Sequence, residues 1–228
     1  ANYVGGNLWQ KTIGNYQATL WPCKTIPGYQ NEDESGYCVK GPLTMKEPFR
    51  KDVMRLMLLV SEKYGLNFVG ELHLPPNWIF MKEFDNRCGG KGIEDNGAQK
   101  PWLIVSREGK VGGGSPYQPY FNPLHPGVQD WVVSVFQELA DRYKDSPAFK
   151  GLVVRLMGWC FGSWQTFPSI NWGYEDYTVE LFEKETGVKI PVAKDDSGRF
   201  AKRYDWLMAN AYEKWVNWRC RKIQQYHQ

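Results

Sequence analysis

Two helix-period stripes in this chain each end in a short link and run straight into an apolar strand, an order that few folds accommodate. Phe49, Val53, Leu56, Met57, Val60 and Tyr64 recur at steps of three and four residues, Gly65 stands where a C-terminal cap belongs, and Leu66 to Leu74 follows as a strand. Val128, Trp131, Val132, Val135, Phe136, Leu139 and Tyr143 repeat the pattern. Lys144 to Pro147 makes the link, and Phe149 to Leu156 is an apolar run of the kind found in buried parallel strands. The connections from strand to helix are long and rich in Gly, Pro and Asn. Short helix-to-strand links combined with long strand-to-helix loops are the asymmetry of a (β/α) barrel, whose function sits on the loops after the strands.

The fold class read from this pattern is α/β, a parallel (β/α) TIM-barrel type, in a single domain over residues 1–228. Only about three strand units can be counted, whereas a closed barrel has eight and needs ~250 residues. The barrel is therefore expected to be incomplete, lacking its later strands, with a smaller open α/β sheet as the alternative. Asn2 to Trp9 reads as a strand weakened by Gly5 and Gly6, followed by a long loop carrying Trp21-Pro22 and Gly41-Pro42. A helix is expected near Tyr174 to Thr186, closed by Gly187. A last helix is expected from about Phe200 to Tyr226, with Phe200, Tyr204, Leu207, Ala211, Trp215 and Trp218 on one stripe. The chain opens at Ala1 without a Met and enters a strand-like run at once, as an excised or processed chain would.

Composition removes several function classes. With 28 Lys and Arg against 25 Asp and Glu, the net charge of +3 is too small to imply a nucleic-acid partner. No stretch approaches the ~18 to 20 apolar residues of a membrane span. The five Cys fit no C-x-x-C pattern, the three His are scattered, and Gly112-Gly113-Gly114-Ser115 lacks the Lys of a phosphate loop, so no metal or cofactor is expected. Cys23 and Cys38 flank a loop where a disulfide would contribute roughly 3 kcal/mol, or they are two unrelated thiols. The 11 Trp and 13 Tyr, many beside Gly, Pro or Asn, either line a groove or fill space under long loops.

Strand parity selects the candidate chemistry. In Leu66 to Leu74, Asn67, Val69, Glu71 and His73 share one face, with Phe68, Leu72 and Leu74 on the other. Glu71 and His73 lie near the C-terminal strand end, where a carboxylate beside an imidazole serves as acid, base or sugar-hydroxyl ligand, or alternatively anchors a loop. Asn7 and Arg155 reach the same side by the same alternation, as substrate contacts, or with Arg155 in an ion pair to Glu71. Trp78, Trp159, Trp164 and Trp172 follow strands on loops, and their flat faces suit a sugar ring or a hydrophobic lid. Glu83, Asp85, Glu175 and Asp176 are loop acids, each either a second site carboxyl or, more commonly, a solvated surface acid; Asp176 is retained as a substrate-binding candidate.

The run from Asn122-Pro123-Leu124-His125-Pro126 through Glu138-Leu139-Ala140-Asp141-Arg142-Tyr143 to Pro147-Ala148-Phe149-Lys150-Gly151 resembles TIM-barrel glycoside hydrolases, nearest to the β-galactosidase-like group and its uncharacterised bacterial relatives. Gly173-Tyr174-Glu175-Asp176-Tyr177, Phe182 to Gly187 and Tyr204 to Arg219 look like the insertion and helix that follow the fourth strand there. The resemblance covers the second half of the chain well and the first half loosely, and its motifs are more structural than catalytic. It implies a carbohydrate-active hydrolase region, secreted or periplasmic, cleaving glycosidic bonds of a polysaccharide or oligosaccharide. Its partners would be carbohydrate and the remainder of a larger barrel chain. The family pattern also implies an Asn-Glu pair at the end of the fourth strand, where this chain reads Arg155-Leu156-Met157-Gly158-Trp159. That departure raises the alternative of a noncatalytic carbohydrate-binding barrel domain that has lost the acid/base Glu.

Overall fold

The computed structural model describes residues 3–7, 9–12, 16–22, 37–40, 52–71, 100–111, 120–153 and 165–228. In chain order these contain β1 (Tyr3–Asn7), β2 (Trp9–Thr12), β3 (Tyr16–Pro22), β4 (Tyr37–Lys40), α1 (Val53–Lys63), β5 (Asn67–Glu71), α2 (Pro126–Tyr143), β6 (Phe149–Val153), α3 (Asp176–Thr186), α4 (Arg199–Asn210) and α5 (Tyr212–Tyr226). The chain divides into two compact units: Ala1–Pro75 with Trp131–Arg155, and Pro76–Asp130 with Leu156–Gln228.

In the first unit β1, β5 and β6 form a parallel sheet in that order. Parallel neighbours need a crossover between them, and α1 lies between β1 and β5 in the chain. The fold is thus mixed α/β with a small parallel sheet. α1 starts at Asp52, whose carboxylate accepts the Arg55 N–H at 2.9 Å as an N-cap. It stops at Gly65, held at φ +62°, where a side chain would be strained. The Tyr143 hydroxyl, at the end of α2, donates to the same Asp52 oxygen at 2.7 Å, and Ser146 Oγ donates to Glu62 at 2.5 Å. One end of α1 is therefore tied to the last residue of α2 and the other to the link that precedes β6.

Three expectations are corrected. The residues read as a long loop after β1 include an antiparallel sheet, β2-β3-β4. β3 alternates Tyr16, Ala18 and Leu20 with Gln17 and Thr19, whereas β2 and β4 are four residues each and carry no such period, so pairing with β3 defines them. On α1 the buried line is Met54, Leu58 and Ser61, while Leu56, Val60 and Tyr64 of the expected stripe are exposed. Seven of the first eight residues of α1 are apolar, so periodicity alone does not select which line faces the sheet. The single last helix is two: Ala211 leaves helical geometry at φ −147°, ψ 24°, between α4 and α5, with neither Gly nor Pro to announce the break.

On α2 the expected stripe is buried at Val128, Trp131, Val132, Val135, Leu139 and Tyr143. In the second unit α3 ends at Gly187 with φ +73°, and α4 and α5 bury Phe200, Leu207, Trp215 and Trp218. Trp215 is the hub of this core. It meets Phe182 edge-on at 4.9 Å and stacks on Trp218 at 5.5 Å, arrangements that add to the stabilisation from burial alone. No helix among the described residues is long and apolar enough to cross a membrane.

Candidate functional site

The first unit offers a polar strand end. Along β5, Phe68 and Gly70 are buried whereas Asn67, Val69 and Glu71 are partly exposed, so strand parity separates a packed face from an accessible one. Register places Asn7 of β1 beside Glu71, and Glu71 beside Val153 of β6, at the C-terminal edge of the sheet. A local irregularity fixes that last pairing. Phe68 pairs with Phe149 but Val69 pairs with Gly151, so Lys150 is skipped. Gly151 takes φ +138°, a conformation open to glycine, and the extra residue brings odd-numbered β6 positions level with Glu71. His73, Arg155, Trp78, Trp159 and Trp164 lie outside the described residues, as do the Arg155 to Glu71 pairing and Cys23.

The second unit holds a buried polar clasp. Glu175, immediately before α3, is 1% exposed. One carboxyl oxygen accepts the Val105 N–H at 2.9 Å; the other accepts from Asn122 Nδ2 at 2.9 Å and from the Thr178 hydroxyl. Asn122 in turn accepts the Leu124 N–H at 3.0 Å. One side chain thereby joins the segment around Val105, the Asn122-Pro123-Leu124 turn and the start of α3. Burial pushes Glu175 up to about 7, against the Thr178 hydroxyl and the Val105 N–H, which favour its charged form. Its environment is therefore the reverse of a solvated surface acid.

Asp176 and Trp172 belong to the same unit. Asp176 accepts from Arg203 Nη1 at 2.7 Å and from Arg199 Nε at 3.3 Å, and Arg203 also donates to the Tyr174 carbonyl at 2.9 Å. Trp172 bridges to Ser106 and meets the Tyr120 ring edge-on at 4.8 Å. Arg219 is buried, donates through Nη2 to the Ser169 carbonyl at 3.1 Å and lies 4.0 Å from the Phe167 ring. Burial lowers it to about 10.

Residues 90–228 match the family described as glycosyl hydrolase-like 10. The chain belongs to that family. No curated protein and no solved structure matches it. The family range of this glycosyl hydrolase-like chain takes in the clasp of Asn122, Glu175 and Thr178 and begins after Asn7 and Glu71. Sequence reasoning missed the clasp as such, although Asn122 and Glu175 both fall in the runs that carry the glycoside hydrolase resemblance. The available signal was an amide and a carboxylate set among Pro, Leu, Tyr and Gly, where buried polar groups need partners.

Proposed function

We propose that this chain is the (β/α)-barrel region of a carbohydrate-active hydrolase and that it holds a saccharide at the C-terminal edge of β1, β5 and β6. The observation that carries the reading is the register that sets Asn7 and Val153 beside Glu71, itself on the accessible side of β5, in a chain of a glycosyl hydrolase-like family. Glu71 is the proton-transferring carboxyl or sugar-hydroxyl ligand, with His73 two residues on and Asn7 and Arg155 as substrate contacts. Stacking of a sugar ring on Trp159 or Trp164 is a further contact, proposed independently of Glu71. Polysaccharide substrates lie outside the cell, which fits a secreted or periplasmic protein.

Hydrolysis needs two carboxyl groups, ~5 to 5.5 Å apart for retention or ~6.5 to 9.5 Å for inversion. Glu71 supplies one. Glu175 is sealed from solvent and Asp176 is neutralised by two arginines, and this favours the second reading, a saccharide-binding domain with slow or undetectable turnover. Calorimetry against a polysaccharide panel, beside a reducing-sugar assay on wild type, Glu71→Gln and Trp159→Ala, separates the two. Turnover abolished by Glu71→Gln identifies the hydrolase. Binding without turnover, weakened by Trp159→Ala, identifies the binder, and no saccharide binding at all rejects both.

A further inference from the structure

In the second unit α5 and residues 165–170 enclose a cleft of about 650 Å³, well within the ~300–1,000 Å³ of small-molecule sites. Its walls are mainly apolar. Phe167 and Ile170 form one side, while Val216 and Ile223 project from α5 on the other. Arg219 stands between those two α5 residues, three positions after Val216 and four before Ile223, and so shares their face. Among the described lining residues there is no Asp or Glu.

The guanidinium is incompletely satisfied. Arg219 is 6% exposed; Nη2 donates to the Ser169 carbonyl, and the Phe167 and Trp215 rings lie 4.0 and 5.4 Å from its carbon. Nη1 has no hydrogen-bond partner among the described residues. Glu175 acts on Arg219 through its field, yet its oxygens are taken by Val105, Asn122 and Thr178. A buried cation with a spare donor and, among the described residues, no contacting carboxylate favours an anion that brings its own acceptors. His227 also lines the cleft, but its Nε2 is within 2.9 Å of the Gln165 carbonyl and so already has a partner.

We propose that this cleft binds a small monocarboxylate with an apolar body, the body against Phe167, Val216 and Ile223 and the carboxylate drawn to Arg219. A sugar suits it less well, because the exposed lining is mostly apolar and hydroxyls set against Phe167, Ile170, Val216 and Ile223 would lack partners there. The ligand class is thus distinct from the saccharide proposed for the strand end, and the two sites fail or succeed independently.

Phenylbutyrate and its neutral analogue phenylbutanol are the probes, titrated calorimetrically into the whole chain. The acid is expected to bind at least about tenfold more tightly than the alcohol. Arg219→Met should bring the acid down to the alcohol's affinity. Val216→Trp, which fills the cleft from a half-buried position and leaves Arg219 in place, should abolish binding of both. Cys220, exposed and also on the wall, should be protected from alkylation by the acid, read by peptide mapping. Equal affinity for acid and alcohol, unchanged binding to Val216→Trp, or no binding overturns the proposal. So does a chain that self-associates through this face and excludes the probe.

Discussion

Glu71 and Glu175 both sit at the boundary of a secondary-structure element, and they end in opposite environments. Glu71 is the last residue of β5, half-buried on the accessible side of a parallel sheet. Glu175 is the residue before α3, sealed, and bonded to donors from three segments. An element end does not by itself present a side chain to substrate. What decides is whether neighbouring segments close over it: at Glu175 the turn at Asn122 and the strand-like stretch at Val105 do, so the carboxyl becomes a structural clasp. Sealing also explains why its proton affinity rises despite its donors, since desolvation penalises the charge more than the hydrogen bonds from Thr178 and Val105 reward it.

The largest expected effect tests the clasp. Glu175→Ala leaves the Val105 N–H unsatisfied, removes the acceptor shared by Asn122 Nδ2 and the Thr178 hydroxyl, and opens a cavity, and should destabilise the second unit by about 3 kcal/mol in urea unfolding. A loss under about 0.5 kcal/mol would break the contrast with Glu71. Glu175→Gln keeps the volume but turns a donor toward donors, and should cost about 1 to 2 kcal/mol.

The same residue predicts a pH dependence. Its folded value of about 7 lies above its ordinary 4.5, so the fold binds the proton more tightly than the unfolded chain does. The contribution to stability is fully present below about pH 4.5 and is lost as pH rises through about 7. Urea midpoints should decline across that window in wild type, and the decline should be shallower in Glu175→Gln.

Smaller effects belong to the first unit. Asp52→Ala removes the N-cap of α1 and the acceptor of the Tyr143 hydroxyl, and should cost about 1 kcal/mol, or somewhat more. Glu71→Gln should stay within about 0.5 kcal/mol of wild type, because a half-exposed strand end has little packing to lose.

Much of this was legible beforehand, for identifiable reasons. The α2 stripe, the Gly65 and Gly187 stops and the faces of β5 rest on period and backbone preference, which are local. The line that α1 buries was not legible, because apolar residues nearly surround that helix and only the sheet it meets selects among them. The β2-β3-β4 meander was only partly legible: β3 alternates Tyr16, Ala18 and Leu20 with Gln17 and Thr19, but β2 and β4 are four residues each and only their pairing with β3 defines them. Glu71 could be placed by parity alone, whereas the clasp required knowing that residues 105, 122 and 175 meet, 70 and 53 positions apart in the chain.

The most direct test measures saccharide binding and thermal unfolding together on wild type, Glu71→Gln and Glu175→Gln. If Glu71 serves a ligand and Glu175 serves the fold, Glu71→Gln should lose at least about tenfold in saccharide affinity, or ~1.4 kcal/mol, with an unchanged melting midpoint. Glu175→Gln should melt lower yet bind like wild type while folded. Wild-type affinity together with wild-type turnover in Glu71→Gln, or a loss of binding confined to folded Glu175→Gln, would contradict the account.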